Sequence, residues 1–237
     1  MRIDRLLSEA GVASRKEAAK AARCGLVSVD GQVVTDLSRH IDPAFVTVVY
    51  DGKAVDWRPF VYVMLNKPQG YVSATEDGHL PTVVELLSPA LQKRSVFPCG
   101  RLDRDTTGLM LITDDGALSH LLLSPRRHVS KVYRFACAEP LCPEAERAFE
   151  EGMILGNGDA LKGARLVCDP LRTSGTVELT EGKYHQVKRM FGALSNRITE
   201  LERITFGPLS LDPALGRGDY RELTADEVEA LRQAVAG

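Results

Sequence analysis

The sequence predicts an α+β protein, with a small helical-hairpin module leading into a larger region of strands and helices. Three observations carry this. Two stretches of apolar residues at helical spacing lie together near the N-terminus, the second opened by Ser14-Arg15-Lys16-Glu17, a capping-box pattern. Asp30-Gly31 sits between two short β-branched runs, the pattern of a tight hairpin. Beyond residue 60, short apolar or alternating runs bounded by turn residues recur between helical stretches, as an α+β sheet requires.

The bulk numbers narrow the function classes. A chain of 237 residues holds one or two domains, and 44% apolar with 26% charged residues is ordinary for a globular protein. The five cysteines, Cys24, Cys99, Cys137, Cys142 and Cys168, form no CxxC pair and are odd in number. They read as reduced thiols of a cytoplasmic protein rather than a disulfide framework. The five histidines show no zinc-ligand spacing, and no cofactor or metal is expected. No apolar run approaches the ~20 residues of a membrane helix. The N-terminal stretch, with Arg2, Asp4, Arg5 and Glu9, lacks the apolar middle of a signal peptide. A net charge of −2 means that any nucleic-acid contact must come from local basic patches.

In order, Ile3, Leu6, Leu7 and Ala10 form a first helix that Gly11 stops. The second helix carries Arg15, Lys16, Lys20 and Arg23 among alanines, a basic face. Residues 1–50 make the small module, with one more strand expected over Phe45–Tyr50. Residues 51–60, charged and aperiodic, read as a linker. Trp57 within it is either an RNA-stacking platform or a packed junction residue. Residues 61–237 make the second domain. Val61–Leu65 is a strand, and Pro68 and Gly70 turn the chain after it. The segment Asn66-Lys67-Pro68-Gln69-Gly70-Tyr71-Val72 reads as scaffolding, with Lys67 a candidate phosphate contact. Pro81–Leu87 reads as a helical piece. Thr113-Asp114-Asp115-Gly116 turns into a helix over Ala117–Leu123, and an Asp cap explains the acid pair better than a metal site does. Ser124–His128 is a basic loop containing Arg126 and Arg127. Lys131–Phe135, Ala164–Val167 and Thr176–Leu179 read as strands. Pro143–Gly152 and the stretch around Val187, Met190 and Phe191 read as helices. Thr224 and Glu227 form a second capping box that opens the last helix.

The stretch with chemical promise is Gly100-Arg101-Leu102-Asp103-Arg104-Asp105-Thr106-Thr107-Gly108-Leu109, running into the apolar Met110-Leu111-Ile112. A carboxylate on a loop that enters a buried strand is rigidly held and partly desolvated, which can make it reactive. On residue types alone, a surface turn whose Asp and Thr side chains bond the backbone is the favoured reading.

Gly-Arg-Leu-Asp, two free positions, Thr, one free position and Gly-Leu resembles the signature of RNA pseudouridine synthases. Leu65-Asn66-Lys67-Pro68-Gln69-Gly70-Tyr71-Val72 and Glu181-Gly182-Lys183-Tyr184-His185-Gln186-Val187-Lys188-Arg189-Met190 are similar to its ribosomal small-subunit branch. The order helix, Ser-Arg-Lys-Glu helix, Val-Asp-Gly hairpin resembles the RNA-binding module named after ribosomal protein S4. The resemblance implies a mostly antiparallel mixed sheet flanked by helices in the second domain. It implies isomerisation of a uridine to pseudouridine in 16S-type, small-subunit rRNA or its assembly intermediate, by a monomer with no obligatory protein partner. It implies Asp103 as the catalytic acid, Tyr133 as an active-site tyrosine, Lys188 as the basic partner where relatives often carry Arg, Arg101 beside the flipped nucleotide, and Leu201 lining the base pocket. Arg15, Lys16, Lys20, Arg126 and Arg127 would contact RNA. Tyr133 and Leu201 could equally be sheet and core residues. A large-subunit rRNA synthase of the same superfamily and a non-catalytic rRNA-binding assembly factor are the competing expectations. A glycosidase using Asp103 and Asp105 is disfavoured, because its two acids must flank a sugar from different sides.

Overall fold

In the computed structural model, which describes the chain apart from Ala44, residues 125–128, Asn157 and Gly237, the residues group into two units. One comprises Met1–Val61 with Leu87–Val96, the other Tyr62–Leu86 with Phe97–Gly237.

The first unit begins with α1 (Ile3–Glu9) and α2 (Arg15–Arg23). Ser14 caps α2 in a complete capping box: its side chain accepts from Glu17 N, and the Glu17 carboxylate accepts from Ser14 N at 2.7 Å. Ala18, Ala21 and Ala22 are buried, which turns Arg15, Lys16, Lys20 and Arg23 outward, all exposed. Strands β1 (Val27–Val29) and β2 (Gln32–Val33) pair as expected. Asp30 and Gly31 both take positive φ, 49° and 77°, as a two-residue hairpin turn demands. Two expectations are corrected here. The third strand, β3 (Val48–Tyr50), is shorter than Phe45–Tyr50. The segment expected as a linker starts with β4 (Lys53–Ala54), paired to β3 across a second positive-φ turn, Asp51-Gly52. The same Asp-Gly chemistry thus extends the sheet. Trp57 packs partly buried against the core of Ile3, Leu6, Leu7, Val27 and Val48. Its indole Nε1 is buried, so the ring is packing and not a free stacking platform. The short helix α3 (Pro89–Gln92) also belongs to this unit.

The second unit is built on one large sheet, in the order β11 (Arg165–Cys168), β12 (Ser174–Leu179), β8 (Lys131–Cys137), β13 (Ile198–Phe206), β7 (Thr107–Thr113), β5 (Tyr62–Lys67), β15 (Tyr220–Glu222). Beside this path β6 (Phe97–Pro98) pairs β7, and β14 (Leu209–Ser210) pairs β13. Among the described strands, the pairing of β13 with β7 is parallel and the rest are antiparallel. The mostly antiparallel mixed sheet is therefore as expected. Strand β9 (Met153–Ile154) pairs with β10 (Ala160–Leu161) in a separate ribbon. The piece expected as a helix over Pro81–Leu87 is only a 3₁₀ turn, Val83–Leu86. Ser88-Pro89 follows at once, and the residue before a proline avoids helical backbone.

Leu109–Ile112 are wholly buried. Helices α4 (Gly116–Leu123) and α7 (Ala225–Gln233) place Leu118, Leu122 and Leu231 in a cluster with Met64, Leu109, Leu111 and Phe206. Asp115 caps α4, accepting from Leu118 N at 2.9 Å and from the Tyr62 hydroxyl at 2.7 Å, so the acid pair is a helix cap. A second group of rings binds α5 (Ala145–Glu151) and α6 (Gln186–Ala193) to the sheet. Phe191 meets Phe135 edge-on at 4.8 Å and Phe149 at 5.3 Å.

Candidate active site

The loop Gly100–Thr106 is held from below by the segment after β5. Ser73 Oγ donates to Leu102 O at 2.8 Å and accepts from Leu102 N at 2.9 Å. Gly70 N donates to Arg104 O at 2.8 Å. Lys67 is fully buried, and its ammonium donates to Pro68 O, Arg104 O and Thr106 O at 3.1, 3.2 and 2.8 Å. This corrects the expected phosphate contact: the lysine is spent on backbone carbonyls. Burial lowers its pKa to about 8 although the carboxylates of Asp105 and Asp103 pull it up. At the exit of the loop, Gly108 pairs with Arg203 of β13 in the parallel register. A side chain at 108 would lie 2.3 Å from Arg203 O, so only glycine allows this approach.

Helix α6 brings the cation. Val187, Met190 and Phe191 are buried, and Lys188 turns to the motif loop. Its Nζ lies 3.1 Å from Asp103 Oδ2 and 2.5 Å from Asp105 Oδ1. Burial disfavours the Lys188 charge, but hydrogen bonds to Asp105 and Asp103 outweigh it and raise its pKa. Asp105 is likewise disfavoured by burial, yet its bond to Lys188 holds its pKa below the ordinary value. His185, at the N-cap of α6 with left-handed backbone (φ 48°, ψ 34°), brings Nε2 to 3.4 Å from Asp103 Oδ1.

Tyr133 and Leu201 project from β8 and β13. Tyr133 stands opposite Val177 and Arg203, and Leu201 opposite Phe135. A cavity of about 70 Å³ is lined by Arg101, Asp103, Thr106, Tyr133, His185, Lys188 and Leu201 among others. Leu201 also lines a cleft of about 580 Å³, whose wall includes Asp105, Thr107, Arg134, Glu202 and Arg217. The cleft has the size of a ligand site. Glu202 in it is held by Arg134 at 3.2 Å and Arg217 at 2.8 Å.

Asp103, Tyr133, Lys188, Arg101 and Leu201 thus meet at one cavity. Arg15, Lys16 and Lys20 lie in the other unit on α2, and Arg126 and Arg127 lie outside the described residues. Sequence reasoning missed His185 and Tyr184, which occupy free positions of their motif. It also missed Asp105 as the second partner of Lys188. A further unforeseen residue is Arg203, 1% exposed, whose Nε donates to Leu109 O at 2.7 Å beneath the site. Among the described residues no group of three or more acids, histidines or cysteines could hold a metal, and no helix is long and apolar enough to cross a membrane.

Residues 61–193 match the family described as RNA pseudouridylate synthase, and residues 1–44 match the S4 domain. A Bacillus subtilis protein described as an uncharacterized RNA pseudouridine synthase is 43% identical over 236 residues, covering 98% of this chain and 99% of its own. The ribosomal small subunit pseudouridine synthase A of Yersinia pestis is 42% identical, with 98% of each chain covered. That of Escherichia coli K12 is 38% identical, over 98% of this chain and 100% of its own. Among solved structures, a crystal structure of a pseudouridylate synthase superposes with a TM-score of 0.69 at 36% identity, over 98% of this chain and 99% of that one.

Proposed function

The chain belongs to the RNA pseudouridylate synthase family, and we propose that it isomerises a uridine of small-subunit, 16S-type ribosomal RNA to pseudouridine, with Asp103 as its catalytic residue. The observation that carries the site assignment is the Lys188 ammonium seated between Asp103 and Asp105 at the cavity that Tyr133 and Leu201 line. The fixed ammonium sets positive charge 3.1 Å from the carboxylate assigned to act on the ribose.

The reaction breaks the bond from ribose C1′ to N1, turns the uracil, joins C1′ to C5, moves the C5 proton off and leaves a proton on N1. No atom or electron is gained or lost, so the chemistry calls for an acid-base pair and a pocket rather than a cofactor. The uridine must first leave its stack, at a cost of a few kcal/mol. Arg101, exposed at the rim, takes the place of the extruded nucleotide or holds it. Asp103 acts as nucleophile at C1′, or as the base that takes the C2′ proton as a glycal forms and returns it when C1′ joins C5. Tyr133 offers a ring face to the base and a hydroxyl for proton transfer at C5, and Leu201 closes the pocket. The basic face of α2 supplies sequence-blind phosphate contacts. Substrate and site of action are then ribosomal RNA in the cytoplasm, met by a monomer.

The test is tritium release from rRNA carrying 5-tritiated uridine. Asp103→Asn is expected to abolish release while RNA binding persists. Near-normal turnover by a clean preparation of this variant overturns the assignment. Binding without release by the wild-type protein, on both transcript and assembly intermediates, favours an assembly factor instead.

A further inference from the structure

The loop leading into α6 carries two rings that the reaction above does not use. Tyr184 and His185 stack, with centroids 3.8 Å apart and planes 17° apart. His185 covers one face of the tyrosine, and Tyr184 remains 71% exposed. At that exposure the ring contributes little to any core. His185 in turn lines the Asp103 cavity, its Nε2 3.4 Å from Asp103 Oδ1.

The arrangement is held rather than incidental. His185 has φ 48°, a backbone conformation unfavourable for a residue with a side chain. The loop around it is braced on several sides. Lys183 N donates to Gln186 Oε1 at 2.9 Å, and Gln186 Nε2 donates to Glu181 Oε1 at 2.7 Å. Gln186 is 4% exposed. Arg189 donates to Tyr184 O at 3.3 Å, and Lys183 Nζ to Ala160 O at 2.5 Å. The backbone that presents Tyr184 is therefore fixed before any partner arrives, and its ring rests on that of His185, which lowers the entropic cost of a contact.

We propose that the Tyr184–His185 stack is a nucleobase platform. The open face of Tyr184 takes an unpaired base adjacent to the uridine that enters the Asp103 cavity, and His185 spaces the platform from Asp103. Every base has a π face, so the platform selects single-stranded context around the target more than sequence. Tyr184 is then a positioning residue for the strand and not a catalytic one. The inference rests on the reading of the chain as an rRNA-modifying enzyme, and the experiment separates the two.

Small-subunit rRNA, as transcript and as partly assembled subunit, is the probe. Because Trp57 is the sole tryptophan, Trp57→Tyr combined with Tyr184→Trp places one reporter indole at the platform. Its emission should be quenched as RNA saturates the protein. In tritium-release kinetics, Tyr184→Leu should raise KM about tenfold, the change that ~1.4 kcal/mol of base stacking supplies, and move kcat much less. Tyr184→Phe, which keeps the ring, should restore the wild-type KM. Emission that ignores saturating RNA, or a Tyr184→Leu variant with wild-type KM, overturns the platform while release by the wild type leaves the isomerase reading intact. Quenching on RNA that releases no tritium has the opposite meaning: the platform stands and the isomerase reading fails.

Discussion

The Lys67 ammonium donates to Thr106 O at 2.8 Å across 39 residues of sequence, tying a fully buried lysine to the loop that carries Asp103. Lys67→Met keeps much of the stem and removes all three hydrogen bonds. Arg104 O keeps its bond from Gly70 N, but the buried Thr106 O loses its ammonium donor, and an unpaired buried carbonyl costs roughly 1–3 kcal/mol, a loss expected in urea unfolding. Activity per folded molecule should fall much further, because a shift of about 1 Å in a reacting group can cost 10²-fold. Full activity per folded molecule would mean that the loop holds its shape without the lysine.

Against the burial that raises it, the hydrogen bond from Lys188 holds the pKa of Asp105 below its ordinary value, and the same ammonium pairs with Asp103 at 3.1 Å. Lys188→Met removes that ammonium, so the single-turnover rate at saturating RNA should fall, and Asp105 should ionise at a higher pH than in the wild type, which an NMR titration of its carboxyl checks. Lys188→Arg keeps the charge and should recover much of the rate, with some loss where two carboxylates are spaced for a compact ammonium. Asp105→Asn should slow the reaction without abolishing it, since Lys188 keeps its ion pair with Asp103. A Lys188→Met rate that excess RNA restores in full would assign Lys188 to RNA grip alone.

Arg15, Lys16 and Lys20 stand exposed on α2 opposite its buried alanines. Replacing all three by Gln should weaken rRNA binding and lower the slope of log K against log salt by about one for each phosphate that is no longer neutralised. The rate at saturating RNA should change far less. A salt titration by filter binding checks this, and an unchanged slope would make the face ordinary solvated surface.

Glu146 and Arg172 supply a pH probe away from the site. The Arg172 guanidinium donates to both Glu146 oxygens, at 2.8 and 2.5 Å, and this bond holds the Glu146 carboxyl down at about 2. A carboxyl depressed by folding stabilises above its unfolded value, near 4.5, and loses that contribution as pH falls toward 2. Glu146→Gln should therefore lower Tm at neutral pH, and the gap to wild type should narrow as the pH drops below about 4.5. Thermal melts across that range check it. A gap independent of pH would show that the pair contributes through hydrogen bonding alone.

The elements legible in the sequence are those whose causes are local. The Ser14 and Thr224 caps form as their spacing requires. The Asp30-Gly31 turn has the dihedrals its residue types favour, and the apolar run 109–112 is the buried strand it resembles. Caps, turns and strand patterns act within a few residues, so a single sequence carries them. The 3₁₀ turn at Val83–Leu86 and the strand inside the expected linker were harder, because a few residues there satisfy more than one local rule.

The motifs also made Asp103, Tyr133 and Lys188 legible as candidates, through resemblance rather than through spacing. What only the tertiary structure decided is how polar groups far apart in sequence are shared. Lys188 reaches Asp105 across 83 residues, Lys67 turns inward to backbone carbonyls, and Tyr184 stacks on His185 at the rim. A lysine is the same residue in sequence whether it ends in water or in the core. Its role follows from the register of the parallel pair β7 and β13 and from the docking of α6 through Phe191 on Phe135. Those contacts set which carbonyls and carboxylates lie within reach of each ammonium, and the strength of each bond then follows from how far water is excluded around it.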